Sequence, residues 1–523
     1  MAFRLTYASM FDPPASMHEA FDAALAHLRS TLGATHGLYL QGADVMRSRT
    51  QRLVSPIDTR LDLGHFALAT PADVDAAMQA AAQAYPAWRA TPLAQRVALL
   101  RRTAELMQQR VYTLAAALAL EVGKNRMEAL GEAQETVDFF QHYADVFEHA
   151  NGFDVPLPDD PLAGVRVTNR SVLRPYGVWL VIAPFNYPLA LMGGPTAAAL
   201  VTGNVVVAKG SPHTPWGGRL LADCLRDAGV PAGVFQWLHG DTHELGEALA
   251  AHPEVAGVTF TGSVAVGRGL LARCASGRWP RPCIAEMGGK NPCIVTEQAD
   301  LDVAAAGIVR SAFGLSGQKC SALSRLYVHH RVADGLIERV QARTAALPVG
   351  DPTLQQVWMG PVNNAAACAR FERSVAQLAQ GGATLLAGGA RLTAPQYTHG
   401  HYVSPTLAEA PPQHPLWQQE LFLPLLLLQR VDSRTHAMQL ANASEVGLTA
   451  GFYGGADEVA WFHEHIEAGV TYANRAQGAT TGAWPGYQPF GGWKGSGSTG
   501  KAIASSYYLP LYMREQSRTV VVA

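Results

Sequence analysis

A cysteine can act as a nucleophile when small neighbours leave its sulfur reachable from a cleft. The segment Phe313-Gly-Leu-Ser-Gly-Gln-Lys-Cys320, followed by Ser321, has that form. A thiolate that attacks a carbonyl leaves a labile thioester, so its natural companion is a base that can reach water. Glu286, in Ala-Glu-Met-Gly-Gly-Lys-Asn-Pro, sets a carboxylate just before two glycines. Upstream, Pro184-Phe-Asn-Tyr-Pro188 closes a β-strand and holds Asn186 on a proline-bounded turn, where an Asn alone reads as a residue bonding its own backbone. Lys319 beside the sulfur has two readings: an ammonium that lowers the thiol pKa, or one that points to solvent. The other five cysteines read as buried small hydrophobes.

Together these segments resemble the aldehyde dehydrogenase superfamily from about Ser55 to Gly500, in the family's order of Asn, Lys, glycine motif, Glu, Cys, Glu-x-Phe and Pro-Phe-Gly-Gly. The resemblance implies that Cys320 attacks the aldehyde carbon while its own N–H and the Asn186 amide hold the oxyanion. Hydride then leaves for a nicotinamide, and Glu286 activates the water that hydrolyses the thioester to a carboxylic acid. It also implies the coenzyme contacts. Phe185 borders the site, and Lys209, in Val206-Val-Ala-Lys-Gly-Ser-Pro, donates to the adenosine ribose. Many NAD-preferring members carry a carboxylate three residues past that lysine. This chain has Pro212, so NAD is the expected coenzyme with NADP possible. Ser211 reads either as a ribose or 2′-phosphate contact or as a cap for the helix that follows.

Phe260-Thr-Gly-Ser-Val-Ala-Val-Gly267 opens a helix at a strand end and looks like the family's phosphate-binding turn, with Gly262, Ser263 and Gly267 as its residues. Gly267-Arg-Gly269-Leu-Leu-Ala272 also fits G-x-G-x-x-A, but too far past the strand for a Rossmann fingerprint, and reads as helix packing. In Glu420-Leu-Phe422-Leu-Pro424 the glutamate would hold the nicotinamide ribose and the phenylalanine back the ring, with Leu423 in place of the family's glycine.

Within the superfamily, Asn474 to Gly492 looks most like the Δ1-pyrroline-5-carboxylate dehydrogenases, which oxidise L-glutamate γ-semialdehyde to glutamate. By that likeness Ser321, Gly482 and Ala483 anchor the substrate carboxylate and Phe490 packs on its chain. Residues without bulky side chains let main-chain N–H groups form such an anion nest. Trp484, Pro485 and Tyr487 depart from the pattern and point to another amino-acid or medium-chain aldehyde as the alternative substrate. The presence of Glu286 argues for water rather than coenzyme A as acyl acceptor, and keeping thiol, donor, base and ribose carboxylate together argues against a non-catalytic structural relative.

Positioning these groups falls to an α/β architecture. Between Val178 and Glu286, apolar runs at 178–182, 205–208, 234–238 and 255–260 alternate with amphipathic stretches, as in a doubly wound parallel sheet that binds ligands beyond its carboxyl ends. A second alternating region from Asn291 to about Thr471, with strands at 294–296, 325–328 and 425–431, makes two α/β lobes with a cleft between. Helical spacing from Asp73 to Glu148, with Pro92 near a start and Gly123 near a stop, precedes them. The expected division is a dinucleotide-binding domain at 1–152 and 174–287, a catalytic domain at 288–482, and an oligomerisation arm at 153–173 and 505–523. The tail strand of that arm lacks a sequence-local partner, and either docks elsewhere in the chain or on another subunit.

A chain of 523 residues with 40 Lys+Arg against 42 Asp+Glu has no basic stripe for a polyanion, so nucleic acid is not an expected partner. Its partners are a small aldehyde and further copies of itself, as a homodimer or larger. The apolar run Leu421 to Leu428, broken by Pro424, is too short to span a bilayer. The N-terminus lacks an apolar signal core, and the six cysteines form no CxxC or Cys/His cluster. The expectation is a cytoplasmic protein with free thiols and no metal, an organelle matrix being the other option.

Overall fold

Parallel strands are buried on both faces and therefore form where aliphatic residues run unbroken between turn formers. The computed structural model of the chain describes residues 5, 6, 9, 13–161, 164–241, 243–482 and 484–522. Its first sheet contains β1 (Leu38–Leu40), β2 (Ala43–Val45), β3 (Val178–Ile182), β4 (Val205–Lys209), β5 (Phe235–Leu238), β6 (Val255–Thr261) and β7 (Cys283–Glu286), in the order β7-β6-β3-β4-β5-β1-β2. The five strands from β3 to β7 run parallel; β1 and β2 add an antiparallel edge. The second sheet contains β8 (Asn291–Val295), β9 (Leu323–His329), β10 (Thr384–Ala387), β11 (Thr406–Glu409), β12 (Leu425–Val431), β13 (Thr449–Tyr453) and β14 (Val470–Ala473). Their order is β10-β11-β12-β9-β8-β13-β14, with only β10 antiparallel to its neighbour.

The pleat divides the second lobe's core in two. Ile294, Tyr327, Leu425 and Leu427 pack on one face, while Cys293, Val295, Leu326, Val328, Leu426 and Leu428 pack on the other. The sequence-read strands thus appear with ends shifted by at most a few residues. Short strands at 35–36, 50–54 and 62–67 form a further small sheet that sequence reading left unassigned.

Helices occupy 71–90, 93–109 and 111–122, and then 126–149. We label Val111–Val122 α1, Arg126–His149 α2, Ala190–Val201 α3, Pro215–Asp227 α4 and Val264–Ala275 α5. Gly123, at φ +84°, ends α1 in a left-handed residue, and Asn125 caps α2 by accepting from the Glu128 N–H at 2.9 Å. These two caps set where Glu128 and Glu132 fall on the buried face of α2.

The tail strand, Met513–Val522, finds its partner in its own chain: it pairs antiparallel with Arg166–Pro175, which pairs in turn with Asp154–Leu157. Just before it, Ile503, Ala504, Tyr508, Leu509 and Tyr512 pack into the core of the first lobe. A hydrogen-bond chain locks them there. The Tyr512 hydroxyl donates to Tyr508 Oη at 3.0 Å and lies 2.9 Å from Thr259 Oγ1, which accepts from Trp179 Nε1 at 2.9 Å. Among the described residues no helix is long and apolar enough to cross a membrane.

Because Tyr512 is fully buried, Tyr512→Phe should cost about 1–2 kcal/mol and lower the melting temperature measured by scanning calorimetry, with secondary structure retained. An unchanged melting temperature would show that the chain contributes nothing.

Candidate active site

The carboxyl ends of the parallel strands of the first sheet deliver about half of the predicted residues to one edge. Phe185 and Asn186 follow β3, Ser211 follows Lys209 at the end of β4, Gly262 and Ser263 follow β6, and Glu286 ends β7. Facing them, the loop 314–322 leads into β9 and the segment 420–424 leads into β12.

The loop before the thiol is a left-handed turn. Leu315, Ser316 and Gly317 have φ of 47°, 53° and 68°. Left-handed backbone costs roughly 1–2 kcal/mol for a non-glycine residue, so the turn must be held by its surroundings. Ser316 Oγ donates to Gly360 O at 2.7 Å, the Leu315 N–H donates to Glu128 Oε2 at 3.2 Å, and Gln318 Oε1 accepts from the Asn363 N–H at 2.8 Å. Gly317 is required by close approach as well, since a Cβ there would lie 2.1 Å from Leu423 O.

Asn291 braces the thiol's own peptide. Its Nδ2 donates to Cys320 O at 2.7 Å and Ala322 O at 2.8 Å, while its Oδ1 accepts from the Thr449 N–H at 3.0 Å. Thr480 Oγ1 donates to Ser321 O at 2.7 Å. Asn186 Nδ2 donates to Gln318 O at 2.9 Å, which uses one amide hydrogen to orient the group and leaves the other available to a carbonyl oxygen.

Cys320 keeps part of its surface open to a pocket, yet protein flanks the sulfur closely. Burial pushes the thiol up to about 12, with the Glu420 and Glu286 carboxylates adding and the Ser321 and Cys320 N–H groups opposing. Lys319 follows neither sequence reading: its ammonium lies 2.5 Å from Glu128 Oε1 and pairs with that carboxylate. Glu286 is buried, its Oε2 has no hydrogen-bond partner among the described residues, and desolvation raises it well above the usual carboxylate range against one N–H from Gly492.

Cys320, Ser321, Gly482 and Phe490 line one pocket, with Phe139, Tyr187, Trp484 and Pro485 as apolar wall and Glu135 and Lys319 as charged groups. Ser321 has no hydrogen bond on its hydroxyl among the described residues. Ala483 lies outside the described residues, and Tyr487 is exposed rather than pocket-lining. Sequence reading missed Asn291, Glu128, Glu132 and Glu135. The last three recur at helical spacing on α2, a helix whose other residues on that face are buried, which is the signal that was there to be read.

The remaining residues form a second cradle. Glu420 Oε1 accepts from the Gly289 N–H at 3.0 Å, and burial pushes its carboxyl up to about 7, opposed by Gly289 and then Lys290. Phe185 and Phe422 meet edge to face with ring centroids 5.7 Å apart. Lys209 donates to Gly210 O at 2.9 Å, and burial lowers it to about 8 despite Asp241. Ser211 accepts from the His213 N–H at 3.2 Å, two residues on, and so braces the turn into α4 rather than capping that helix itself, since Thr214 holds the N-cap position. Ser263 caps α5 by accepting from the Val266 N–H at 3.4 Å, and Gly262 donates to Glu286 O at 3.1 Å. Gly267 packs against Met287, where a Cβ would come within 2.5 Å of the sulfur. Gly269 faces open space, so only the first of these two glycines serves helix packing. No cluster of three or more His, Cys, Asp or Glu residues suited to a metal occurs among the described residues.

The arrangement can hold an acyl group on sulfur beside a buried carboxyl and an amide donor. Without a ligand, the alkylation rate of Cys320 by iodoacetamide should climb about tenfold per pH unit from pH 7 to pH 10. Glu420→Gln should speed the reaction at fixed pH by removing a neighbouring carboxylate. A rate that levels off below pH 9, followed by mass spectrometry of the modified peptide, would contradict the thiol's raised pKa.

Comparisons with known proteins agree with this layout. The model of the aldehyde dehydrogenase family matches residues 45–517. A 1-pyrroline-5-carboxylate dehydrogenase of Geobacillus thermodenitrificans is 35% identical over 509 residues, 96% of each chain. One from Bacillus subtilis is 34% identical over 507 residues, 96% of this chain and 95% of that one. The crystal structure of 1-pyrroline-5-carboxylate dehydrogenase from Thermus with bound NAD superposes with a TM-score of 0.92 at 32% identity, covering 99% of both chains. With its thiol loop, buried carboxyl and paired parallel sheets in this arrangement, the chain belongs to the aldehyde dehydrogenase family.

Proposed function

We propose that the protein oxidises L-glutamate γ-semialdehyde, formed by opening of Δ1-pyrroline-5-carboxylate, to L-glutamate with NAD, NADP being a possible second coenzyme. The observation that carries this reading is the single pocket shared by Cys320, Ser321, Gly482, Phe490 and Glu135. An amino-acid aldehyde has a reactive carbonyl at one end and a carboxylate with an ammonium at the other. The Ser321 hydroxyl and the Gly482 main chain suit the carboxylate, Glu135 suits the ammonium, and Phe490 with Tyr187 and Phe139 covers the methylenes. The names of the relatives and the NAD of the Thermus neighbour support the same substrate and coenzyme.

The second cradle fits a dinucleotide. Lys209 uses one of its three donors on Gly210 O, the first N–H groups of α5 face the strand edge, and Glu420 lies against Gly288, where a Cβ would fall 2.0 Å from its Oε2. Lys209, Ser211 and α5 would hold the adenosine and pyrophosphate, and Glu420, Phe185 and Phe422 the nicotinamide end, which supplies the hydride acceptor. Pro212 stands where a carboxylate would repel a 2′-phosphate, which leaves room for NADP.

The chain's own residues perform the rest. Cys320 releases its proton to solvent through the pocket and adds as thiolate to the carbonyl carbon; Asn186 and the Cys320 N–H hold the oxyanion of the thiohemiacetal. Hydride loss converts it to a thioester. Glu286, in its ionised form, takes a proton from water, hydroxide adds to the thioester, and Cys320 leaves as thiolate and takes that proton back from Glu286, with glutamate as product. A carboxyl whose pKa is raised is neutral at low pH and becomes a base only as pH rises, so thioester hydrolysis accelerates with pH. Exposed Val155, Leu157, Val520 and Val521 on the outer strands of the three-stranded arm support its use between subunits.

In stopped-flow absorbance of the reduced coenzyme, Glu286→Gln should keep a burst of about one equivalent per site while steady turnover falls on the order of a hundredfold and loses its rise with pH. Loss of the burst itself would place Glu286 before hydride transfer. Ser321→Ala should raise KM for glutamate semialdehyde about tenfold and leave that for propanal unchanged; equal effects on both would remove the serine from carboxylate recognition.

A further inference from the structure

Two fully buried charged side chains have no part in the chemistry above. Lys124, between α1 and α2, and Glu132, on α2, are each 0% exposed, with Nζ 2.6 Å from Oε2. A buried ion pair gains little net stability, because desolving both charges offsets their attraction. Its contacts give it another use. The Lys124 ammonium sits 3.3 Å from the centroid of the Tyr187 ring. Glu132 Oε1 accepts from the Leu189 N–H at 2.9 Å and the Ala190 N–H at 3.1 Å. These belong to the opening turn of α3, whose N-cap residue, Leu189, supplies no side-chain acceptor of its own.

Asn186 lies next to Tyr187 and three residues before Leu189. On its other flank the backbone is fixed by Ala183 N–H donating to Lys209 O at 3.0 Å and by Thr214 Oγ1 donating to Phe185 O at 3.1 Å. The turn 185–189 is therefore held from both sides, and the far side depends on Glu132 and Lys124. In Glu132→Gln the single amide oxygen cannot accept from both Lys124 and the two buried N–H groups, so the start of α3 would move. An ångström of misplacement at a reacting group costs on the order of a hundredfold in rate.

We propose that Lys124 and Glu132 are positioning residues for aldehyde oxidation, acting through the backbone of turn 185–189 and the Tyr187 ring to aim the Asn186 amide at the reacting carbonyl oxygen. The proposal rests on the reading of Asn186 as the oxyanion donor, and its test separates the two. Glu132→Gln and Lys124→Met are each made in the full-length enzyme and in Asn186→Ala, with kcat and KM measured for aldehyde and coenzyme. In the otherwise native chain each should lower kcat about ten- to a hundredfold with KM changed less than about threefold. In Asn186→Ala the same changes should lower kcat less than about twofold further, since the amide they aim is gone.

An equal loss in both backgrounds, or an unchanged kcat, overturns the positioning role. Asn186→Ala with undiminished kcat overturns the oxyanion reading instead. Should a single variant fail to fold, Lys124→Met with Glu132→Gln removes both charges together and keeps an amide oxygen for α3. A kcat loss in that pair that disappears in Asn186→Ala supports the proposal, and any other pattern rejects it.

Discussion

Burial of the reacting groups between the two sheets is the constraint on which the rest of the site depends. Burial is the largest influence on every shifted group there: it raises Cys320, Glu286 and Glu420 and lowers Lys290 and Lys209. Each is pushed toward its neutral form. Burial thus makes each of these ions harder to form, and a charge that develops during reaction meets oriented N–H groups.

Such a buried interior has to satisfy its backbone groups from within, and the chain does so in part with side chains that take no part in bond making. α2 is the principal source. Glu128 accepts from the Leu315 N–H and pairs with Lys319, Glu132 accepts from the start of α3, and Glu135 lines the substrate pocket. Glu121 on α1 does for α4 what Glu132 does for α3, accepting from the Trp216 and Gly217 N–H groups. Asn291 completes the set by spending its whole amide on Cys320, Ala322 and Thr449. A single helix and one asparagine thereby fix the thiol loop, the amide turn and the substrate wall relative to each other.

The sequence displays the reacting groups far better than it displays this scaffolding. Strands such as Val178–Ile182 and Leu425–Val431 are readable because burial on both faces demands unbroken aliphatic runs, and Cys320 and Glu286 through the resemblance of their glycine-bearing segments to the aldehyde dehydrogenase family. The contacts that hold them join residues far apart in the chain: Glu128 to Leu315 and Lys319, Glu132 to Leu189, Asn186 to Gln318. Nothing in local spacing specifies such a pairing. Lys319 is the clearest case, since its neighbour in sequence is the thiol while its partner in space is a carboxylate on α2. The tail strand is another, its partner Arg166–Pro175 lying more than three hundred positions upstream.

Leu423 illustrates how a departure from a family's pattern can be absorbed. A glycine at a turn is demanded either by a positive φ or by backbone that comes too close for a Cβ. In this chain neither demand falls on residue 423. The positive φ is carried by Phe422, at 58°, and the close approach is met from the opposite side, where Gly317 faces Leu423 O. The Leu423 side chain is free to enter the second lobe's core beside Phe371 and Leu421. The strain on Phe422, roughly 1–2 kcal/mol, is small against that burial and leaves its ring against Phe185. Glu420 and Phe422 keep their register because a glycine in the thiol loop, rather than one in their own segment, makes the room.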